Sequence, residues 1–346
     1  MNRNKKLINL QLMTDYVMNT TTSEGMSAEM KTYYDMELLR NAKPNLVHDQ
    51  FAQKRNIPKN GGKTIEFRKY GSLAKALTPL TEGVTPAGSE MNVTAITATV
   101  AQYGDYIKIT DMLKLTAIDN NLVEAVTMLG DQSGRTLDTI TRDAMAAGTN
   151  VIYAGGRVSR ANLTTSDKIS VALIKKAATQ LKRFNAPKIN GSYVGIVHPS
   201  VSHDLMNDSE FVSWHQYARP EELYEGEIGK IAGVRFVEST EAKIWNDNTC
   251  PVHTEAVPAA GTTPAVDATY YSVYGTIIVG ANAYATTAVE GGGLQTIIKQ
   301  LGSGDDPLDQ RATAGWKAIK TAKILNEFYM VRIESLSSFS ADDAAN

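Results

Sequence analysis

Features needed for secretion, disulfide bonding or membrane insertion are scarce in this sequence. Its 346 residues include a single cysteine, Cys250, so no disulfide can form within the chain and nothing calls for an oxidising compartment. No stretch approaches the roughly 18 consecutive apolar residues that cross a bilayer. The apolar run after the basic N-terminus, residues 7–13, is short and interrupted, which excludes a secretory signal. We therefore expect a soluble protein of a reducing compartment, with no membrane partner.

Disorder is also excluded, because 42% of the residues are hydrophobic and 21% are charged. A chain of this length and composition can bury a sizeable core, and the length favours about two domains. Helical and strand patterns both occur along it, which indicates an α+β protein.

The net charge of −2 hides an asymmetry along the chain. Residues 1–70 contain 12 Lys and Arg against 7 Asp and Glu, whereas the remainder contains 23 against 30. A basic arm thus precedes an acidic body. The arm could lie on an acidic neighbouring surface or near a polyanion, or its charge could simply be solvated; the cations are too dispersed to indicate specific nucleic-acid recognition.

The N-terminal third alternates between turn signals and strand patterns. Helical spacing predicts a short helix over residues 27–40, and Asn60-Gly61 predicts a turn with positive φ. Strand patterns follow at 64–70 and, as one longer run, at 92–110, with a Gly- and Pro-containing loop at 71–91 between them. A two-stranded ribbon is marginally stable alone, so this one must pack on its own chain or on another subunit.

A long amphipathic helix is predicted over residues 121–147, and a mixed α/β pattern follows it. That pattern comprises a helix led by Thr165 or Ser166 and a helix opened by Pro199. The predicted strands and the surface insertion between them cover residues 193–197, 234–238, 246–268 (insertion), 270–279 and 324–333.

No motif in the sequence supports catalysis, cofactor binding or metal binding. Residues 61–64 imitate the end of a phosphate-binding loop, but Ile57 occupies the position of the first glycine and a strand follows. Gly291-Gly292-Gly293 indicates a sharp turn, and His198 and His203 have no zinc-ligand spacing. Asp305, Asp306 and Asp309 lack the rest of a calcium loop. We expect no enzyme and no cofactor.

Eight segments of the sequence together resemble a known protein family. They are residues 26–35, 58–68, 77–86, 103–106, 228–236, 291–294, 306–313 and 315–317. Their resemblance is to the tailed-bacteriophage major capsid proteins of the Hong Kong-phage type, in particular the family typified by the coliphage N-four major coat protein, and it extends from about Ser23 to Glu334.

The resemblance implies a domain organisation. Residues 1–63 would form an N-terminal arm, and residues 64–110 an extended β loop that overlaps a neighbouring subunit. A peripheral domain would comprise residues 111–164 and 291–346, with residues 121–147 as its spine helix. Residues 165–290 would form an axial domain that contains the insertion near 246–268.

The implied function is a major capsid protein that self-assembles as pentamers and hexamers into an icosahedral head around double-stranded DNA. The implied partners are other copies of the chain, a portal, a scaffold or decoration protein, and lumenal DNA bound without sequence specificity. The implied location is the virion, with assembly in the bacterial host cytoplasm. We further expect the N-terminal segment to be retained and the shell to be noncovalent, since no lysine–asparagine crosslinking pair is identifiable.

The extended loop and the basic stretch before it supply the candidate residues for contacts between subunits. They are Lys54, Arg55, Lys59, Phe67, Arg68, Leu77, Pro79, Leu80 and Glu82. Two other interpretations stay open. One is a soluble α/β enzyme or ligand-binding protein whose site is assembled from scattered residues. The other is a tail-tube or similar virion β-protein, against which the long helix argues.

Overall fold

A computed structural model describes most of the chain. The described residues are 38, 46–71, 73–80, 82–85, 88–116, 121–208, 210, 229–252, 270–301, 308, 310–341 and 343–346. The predicted helix over 27–40, apart from Leu38, lies outside them, as do most of the predicted insertion and the aspartates at 305, 306 and 309.

The described part of the chain contains helices and strands in mixed order. The helices are α1 (Asp111–Thr116), α2 (Asn121–Ala146), α3 (Val171–Arg183) and α4 (Pro199–Met206). The strands are β1 (Gln53–Ile57), β2 (Thr64–Tyr70), β3 (Val93–Thr99), β4 (Ala101–Thr110), β5 (Val151–Tyr153), β6 (Tyr193–Val197), β7 (Lys230–Ile231), β8 (Val234–Glu238), β9 (Ile244–Trp245), β10 (Val273–Val279), β11 (Tyr284–Val289), β12 (Gln295–Lys299), β13 (Arg311–Ile324) and β14 (Met330–Ser335).

Helix α2 packs on a five-stranded sheet whose central strand is the long β13. Strands β4 and β12 pair with β13 antiparallel, β11 pairs with its C-terminal end, and β1 adds to β11 in parallel. The apolar stripe of α2, including Val126 and Leu129, meets Ala314, Trp316 and Ala318 of β13. Helix α2 covers one face of this sheet, and the opposite face, which we call the open face, is not covered by α2.

A seven-stranded mixed sheet holds the larger core. Its strand order is β5-β14-β10-β6-β8-β7, and β9 pairs with β10. All seven residues of β10 are buried because helices and loops cover both faces of this strand. Ile174 and Leu181 of α3 and Val201 and Leu205 of α4 belong to its principal apolar cluster.

The two sheets are joined at the C-terminal end of α2. Arg332 on β14 donates a hydrogen bond from Nη1 to the carbonyl of Gly148, 3.0 Å away, just beyond the C-terminus of the helix. Buried Arg142 donates to the backbone carbonyl of Glu241, 2.9 Å away in the loop before β9. These cationic contacts satisfy carbonyl groups that the helix end and the loop would otherwise leave without a partner.

Several predictions from the sequence are confirmed and several boundaries are wrong. The helix predicted over 121–147 is α2, and the strands predicted at 64–70, 193–197 and 234–238 have those bounds. The run at 92–110 is two strands, because β3 pairs with β2 whereas β4 pairs with β13. The helix expected after Thr165 or Ser166 begins instead at Val171, where the Ser170 side chain caps it by accepting from the Leu173 amide.

The predicted segment 324–333 is also divided. Strand β13 ends at Ile324, a 3-10 turn spans Glu327–Tyr329, and β14 begins at Met330. The turn is possible because the Asn326 side chain accepts a hydrogen bond from the Phe328 amide, as capping residues do. Strand β14 then enters the seven-stranded sheet beside β10.

Candidate subunit-contact surface

The β2–β3 hairpin projects from the body of the chain and is the main candidate for a contact surface. Its strands pair over seven positions, from Thr64 opposite Thr99 to Tyr70 opposite Val93. Asn60 has positive φ in the turn that leads into β2, as predicted, but the glycine with positive φ is Gly62 and not Gly61. The hairpin lies on the open face of the five-stranded sheet, on the side opposite α2.

The base of the hairpin is attached to its own chain. Phe67 and Ala98 are each 4% exposed and pack with Ala285 of β11 and with Leu325. Lys69 adds one polar link, because its Nζ donates to Asn326 Oδ1 across 2.9 Å. Phe67, a candidate contact residue, therefore supports the hairpin from inside the subunit.

The tip of the hairpin, residues 71–92, exposes large apolar side chains to solvent. Leu77 is 82% exposed and Leu80 is 77% exposed, and Leu73, Val84 and Met91 are exposed as well. Pro79 and Glu82 are exposed in the same loop. So many exposed apolar side chains in one loop are unusual for a monomer and indicate a surface that another molecule covers.

The basic candidates lie beside the hairpin base. Lys54 and Arg55 are exposed on β1, and the Arg55 guanidinium lies 5.9 Å from the centre of the Phe67 ring. Lys59 is exposed in the turn after β1. Arg68 forms an ion pair with Glu66, 3.1 Å away, in which both side chains remain solvated, so this pair adds little stability.

Asp49 connects this basic stretch to the sheet. Its carboxylate lies 2.9 Å from Lys320 Nζ on β13 and 3.5 Å from Lys54 Nζ. Burial alone would raise the pKa of Asp49, but the charge and hydrogen bond of Lys320, together with the charge of Lys54, outweigh burial and lower it. Asp49 therefore stays ionised and holds the segment before β1 on the sheet.

His48, the preceding residue, is anchored to helix α2. Asp138 Oδ1 accepts from the His48 amide at 2.8 Å, and Asp138 Oδ2 is hydrogen-bonded to His48 Nδ1 at 2.6 Å. The Tyr284 hydroxyl donates to the His48 carbonyl. Burial, with the nearby charges of Asp49 and Asp138, raises the pKa of Tyr284. His48, which we did not single out from the sequence, is where arm, helix and sheet meet.

Other exposed apolar residues were also missed. Met128 on α2 is 65% exposed, and Met112 and Leu113 on α1 are 65% and 47% exposed. Met128 lies off the apolar stripe of α2, so the helical periodicity of the sequence could have identified it as an exposed apolar residue. The two α1 residues carry no comparable signal, because so short a helix has no clear period.

The residues considered for metal binding or catalysis have structural surroundings where the structure describes them. Among the described residues, no group of three or more His, Cys, Asp or Glu side chains could hold a metal ion. His198 caps α4, with its Nδ1 accepting from the Ser200 amide, and Cys250 is buried with a pKa raised by that burial. Gly291 has positive φ in the turn between β11 and β12. No helix in the described part is long and apolar enough to span a membrane.

Comparison with known proteins gives a family and a set of similar structures. The family described as phage capsid protein matches residues 93–333. Comparison with curated protein sequences gives no significant match.

The similar structures are phage capsids. The capsid of Ralstonia phage GP4 has 15% sequence identity and a TM-score of 0.64, over 86% of this chain and 90% of that one. The capsid of cyanophage P-SCSP1u has 15% identity and a TM-score of 0.61, over 85% and 89%. The acid-stable capsid of Helicobacter pylori bacteriophage KHP30 has 12% identity and a TM-score of 0.59, over 82% and 87%. At such identities the likeness shows a shared fold.

Proposed function

This chain belongs to the phage capsid protein family and is a major capsid protein of the head shell, and we propose that it assembles as pentamers and hexamers through the β2–β3 hairpin. It is a structural protein with the Hong Kong-phage-type capsid fold, and it associates with its own copies in the virion. The expectation of a non-enzymatic tailed-phage major capsid protein is confirmed by the family.

The observation that carries the proposal is the contrast between the base and the tip of the hairpin. Phe67 and Ala98 fix the base to the same chain, whereas Leu77 and Leu80 at the tip have no cover from the described residues of their own subunit. A hairpin whose base is fixed to its own subunit and whose apolar tip is exposed suits a head-to-tail contact, in which the tip binds a different surface on the next subunit. Such contacts close into rings when the rotation between subunits permits it.

The remaining candidates support this contact in two ways. Lys54, Arg55 and Lys59 would attract an acidic part of the neighbour, while Phe67 would keep the hairpin at its angle. Arg68, Pro79 and Glu82 would lie along the overlapped edge. The proposal includes the domain organisation implied by the resemblance. It comprises an N-terminal arm (1–63), an extended β loop (64–110), a peripheral domain (111–164 and 291–346) and an axial domain (165–290).

The finer partners follow from the same role. We propose that the closed icosahedral shell encloses double-stranded DNA without sequence specificity. A portal, and a scaffold or decoration protein, would complete the head, and assembly would take place in the cytoplasm of the bacterial host. The acidic balance of residues 71–346 supports weak contact with DNA, because like charges limit adhesion.

The test uses the protein expressed alone, examined by negative-stain electron microscopy and sedimentation velocity. The wild type should give closed shells, or pentamers and hexamers. The double variant Leu77→Ser/Leu80→Ser should leave at least about tenfold less assembled protein, because each buried leucine at an interface contributes about 1.5–3 kcal/mol. Val158→Ser is the matched control, since Val158 is 84% exposed away from the hairpin.

Two outcomes would contradict the proposal. A wild-type protein that stays monomeric or dimeric at every salt concentration would contradict unaided assembly into pentamers and hexamers. Leucine variants that assemble like the wild type would show that the hairpin tip is not the contact. Charge reversal at Lys54, Arg55 and Lys59 tests the basic stretch separately, and unchanged assembly and shell stability would remove its role.

A further inference from the structure

Helix α2 contacts the two sheets in different ways. Its apolar stripe packs on the five-stranded sheet. Among the described residues of the apolar clusters beside the seven-stranded sheet, Met145 is the one that α2 contributes. The helix reaches that sheet's loops through ionic side chains instead. Apolar packing is non-directional, whereas charge-assisted hydrogen bonds fix a geometry, so the ionic contacts are suited to setting an orientation.

The partners of these ionic side chains lie in the loop between β8 and β9, residues 239–243. Glu241 is central, because its Oε1 accepts from Arg135 Nε at 2.8 Å and its Oε2 lies 3.9 Å from Arg142 Nη1. Lys243 Nζ lies 3.3 Å from Asp143 Oδ1, which also accepts from Arg142 Nη2 at 3.1 Å. Opposite charges thus alternate through the set. We call these five residues the clamp.

The inner members of the clamp are shielded from water. The Arg142 side chain is 1% exposed, and the side chains of Glu241 and Lys243 are each 18% exposed. Salt screens partly buried charges less than exposed ones, and a network of charges holds more firmly than an isolated surface pair. The clamp is therefore a structural connection between the helix and the loop.

Asn346 holds the same loop in shape. Its Oδ1 accepts from the Ile244 amide and its Nδ2 donates to the Ala242 carbonyl, each across 2.9 Å. These are the two backbone hydrogen bonds that a paired strand would supply. Between those two residues, Lys243 donates from Nζ to the Asn346 carbonyl as well as facing Asp143. Asn346 therefore holds in place the residue that connects the loop to α2.

The clamp lies at a distance from the other attachment of α2 to this sheet. That attachment is the hydrogen bond from Arg332 to the carbonyl of Gly148, just beyond the helix. Arg135 lies about 17 Å back along the helix from its last residue, Ala146, at the ordinary rise per residue. One attachment allows rotation about it, whereas two separated attachments fix an angle. A shift of about 2 Å at Arg135 would change that angle by about 7°.

We propose that the clamp and Asn346 set the angle between α2 and the seven-stranded sheet, and that this angle sets the curvature of the assembled shell. The inference rests on the proposed assembly into closed shells and adds the part of the subunit that limits its range of shapes. Contacts between copies close only at particular rotations, so subunits with a variable angle form shells of variable diameter. Glu241, Lys243 and Asn346 are thus positioning residues.

Distances between two spin labels test the angle in the unassembled chain. Met128→Cys on α2 and Val158→Cys after β5 supply the labels, since these side chains are 65% and 84% exposed, and Cys250→Ala removes the native cysteine. An intact clamp should give one narrow distance distribution. Glu241→Ala/Lys243→Ala should widen it at least about twofold, because the attachment at the helix end then acts as a hinge.

Three further variants identify the cause. Asn346→Ala should also widen the distribution, and it removes no charged side chain, so it provides the same test if the double variant folds poorly. Lys243→Arg keeps the cation and should keep the narrow distribution. Glu290→Ala/Lys188→Ala is the matched control, because it removes one exposed carboxylate and one exposed cation outside the clamp, and it should match the wild type.

Negative-stain electron microscopy of particles assembled from the same variants, without the label sites, tests the curvature. Glu241→Ala/Lys243→Ala should increase the spread of particle diameters at least about twofold over the wild type and the control, with open or irregular shells among them. Lys243→Arg should give particles as uniform as those of the wild type.

Three results would overturn the inference. A narrow distance distribution in both alanine variants would show that the clamp and Asn346 do not fix the angle. A wide distribution in Lys243→Arg would show that the charge is not what acts. Uniform particles from a chain with a wide distribution would refute the link to curvature. A wild type that never assembles would refute the proposed function instead, and the label distances would still decide whether the clamp fixes the angle.

Discussion

At the residue scale, a few buried polar contacts hold the arm, the long helix and the sheet together. Asp138 makes the most deeply buried of these contacts, because its carboxylate accepts hydrogen bonds from both the backbone amide and the ring of His48 and both side chains are fully buried. A buried polar pair of this kind costs little when it is complete and much when one partner is lost.

Asp138→Ala should therefore lower the free energy of unfolding by about 3–5 kcal/mol, because it leaves the amide and ring nitrogen of His48 buried without their acceptor. Urea unfolding of the unassembled chain measures this. Asp131→Ala, on an exposed turn of the same helix where the carboxylate lies 4.0 Å from Arg135, should cost less than about 1 kcal/mol. Equal costs for the two variants would contradict the anchoring role of Asp138.

His198 gives a pH-dependent effect at the same scale. Burial lowers its pKa, although the charges of Asp343 and Glu238 act in the opposite direction. The unfolded chain thus takes up a proton at this position at a higher pH than the folded chain does. Stability from this group is complete above about pH 6.5 and falls as the pH drops from there toward the folded pKa.

Proton NMR of the unassembled chain should show His198 titrating below about 6.5. His198→Asn keeps a capping side chain on α4 and should make unfolding less sensitive to pH between about 7 and 5.5. A His198 pKa above the ordinary value, or an unchanged pH dependence in the variant, would show that burial does not dominate here.

At the element scale, the hairpin depends on one aromatic side chain for its orientation. Phe67→Ala should destabilise the hairpin base by about 3 kcal/mol, since the cavity is lined by Ala98, Ala285 and Leu325. Amide hydrogen exchange in residues 64–70 and 93–99 should speed up more than in β10. Tyr70→Ala is the control, because Tyr70 is 58% exposed on the same strand; a similar acceleration from it would refute the anchoring role.

The elements also show where sequence patterns sufficed and where they failed. The alternation of apolar and polar residues predicted that Ile65 and Phe67 share one face of β2, and the helical spacing of apolar residues predicted α2. Both patterns are visible in the sequence because each repeats along the whole element. The division of the 92–110 run had no local signal, since residues on both sides of Val100 are β-prone. Pairing with β2 on one side and β13 on the other decided it.

At the scale of the whole molecule, assembly combines many weak contacts into a closed shell. The subunits should be held without covalent bonds. The lysine–asparagine contact between Lys69 and Asn326, at 2.9 Å, lies within one chain and would not join two subunits if it reacted. Mature particles boiled in detergent should give a single monomer band, and a ladder of its multiples would contradict this.

The sequence by itself determined the class of protein, the absence of recognisable catalytic motifs, the long helix and the loop character of residues 71–91. These properties depend on composition and local periodicity, which are present in the unfolded chain. Only the tertiary structure decided that Phe67 packs on its own subunit, that His48 binds Asp138 and that Lys108, Lys299 and Lys317 share a face. Such neighbours are up to about 260 residues apart in sequence, and only the packing of the folded chain and the register of its strands bring them together.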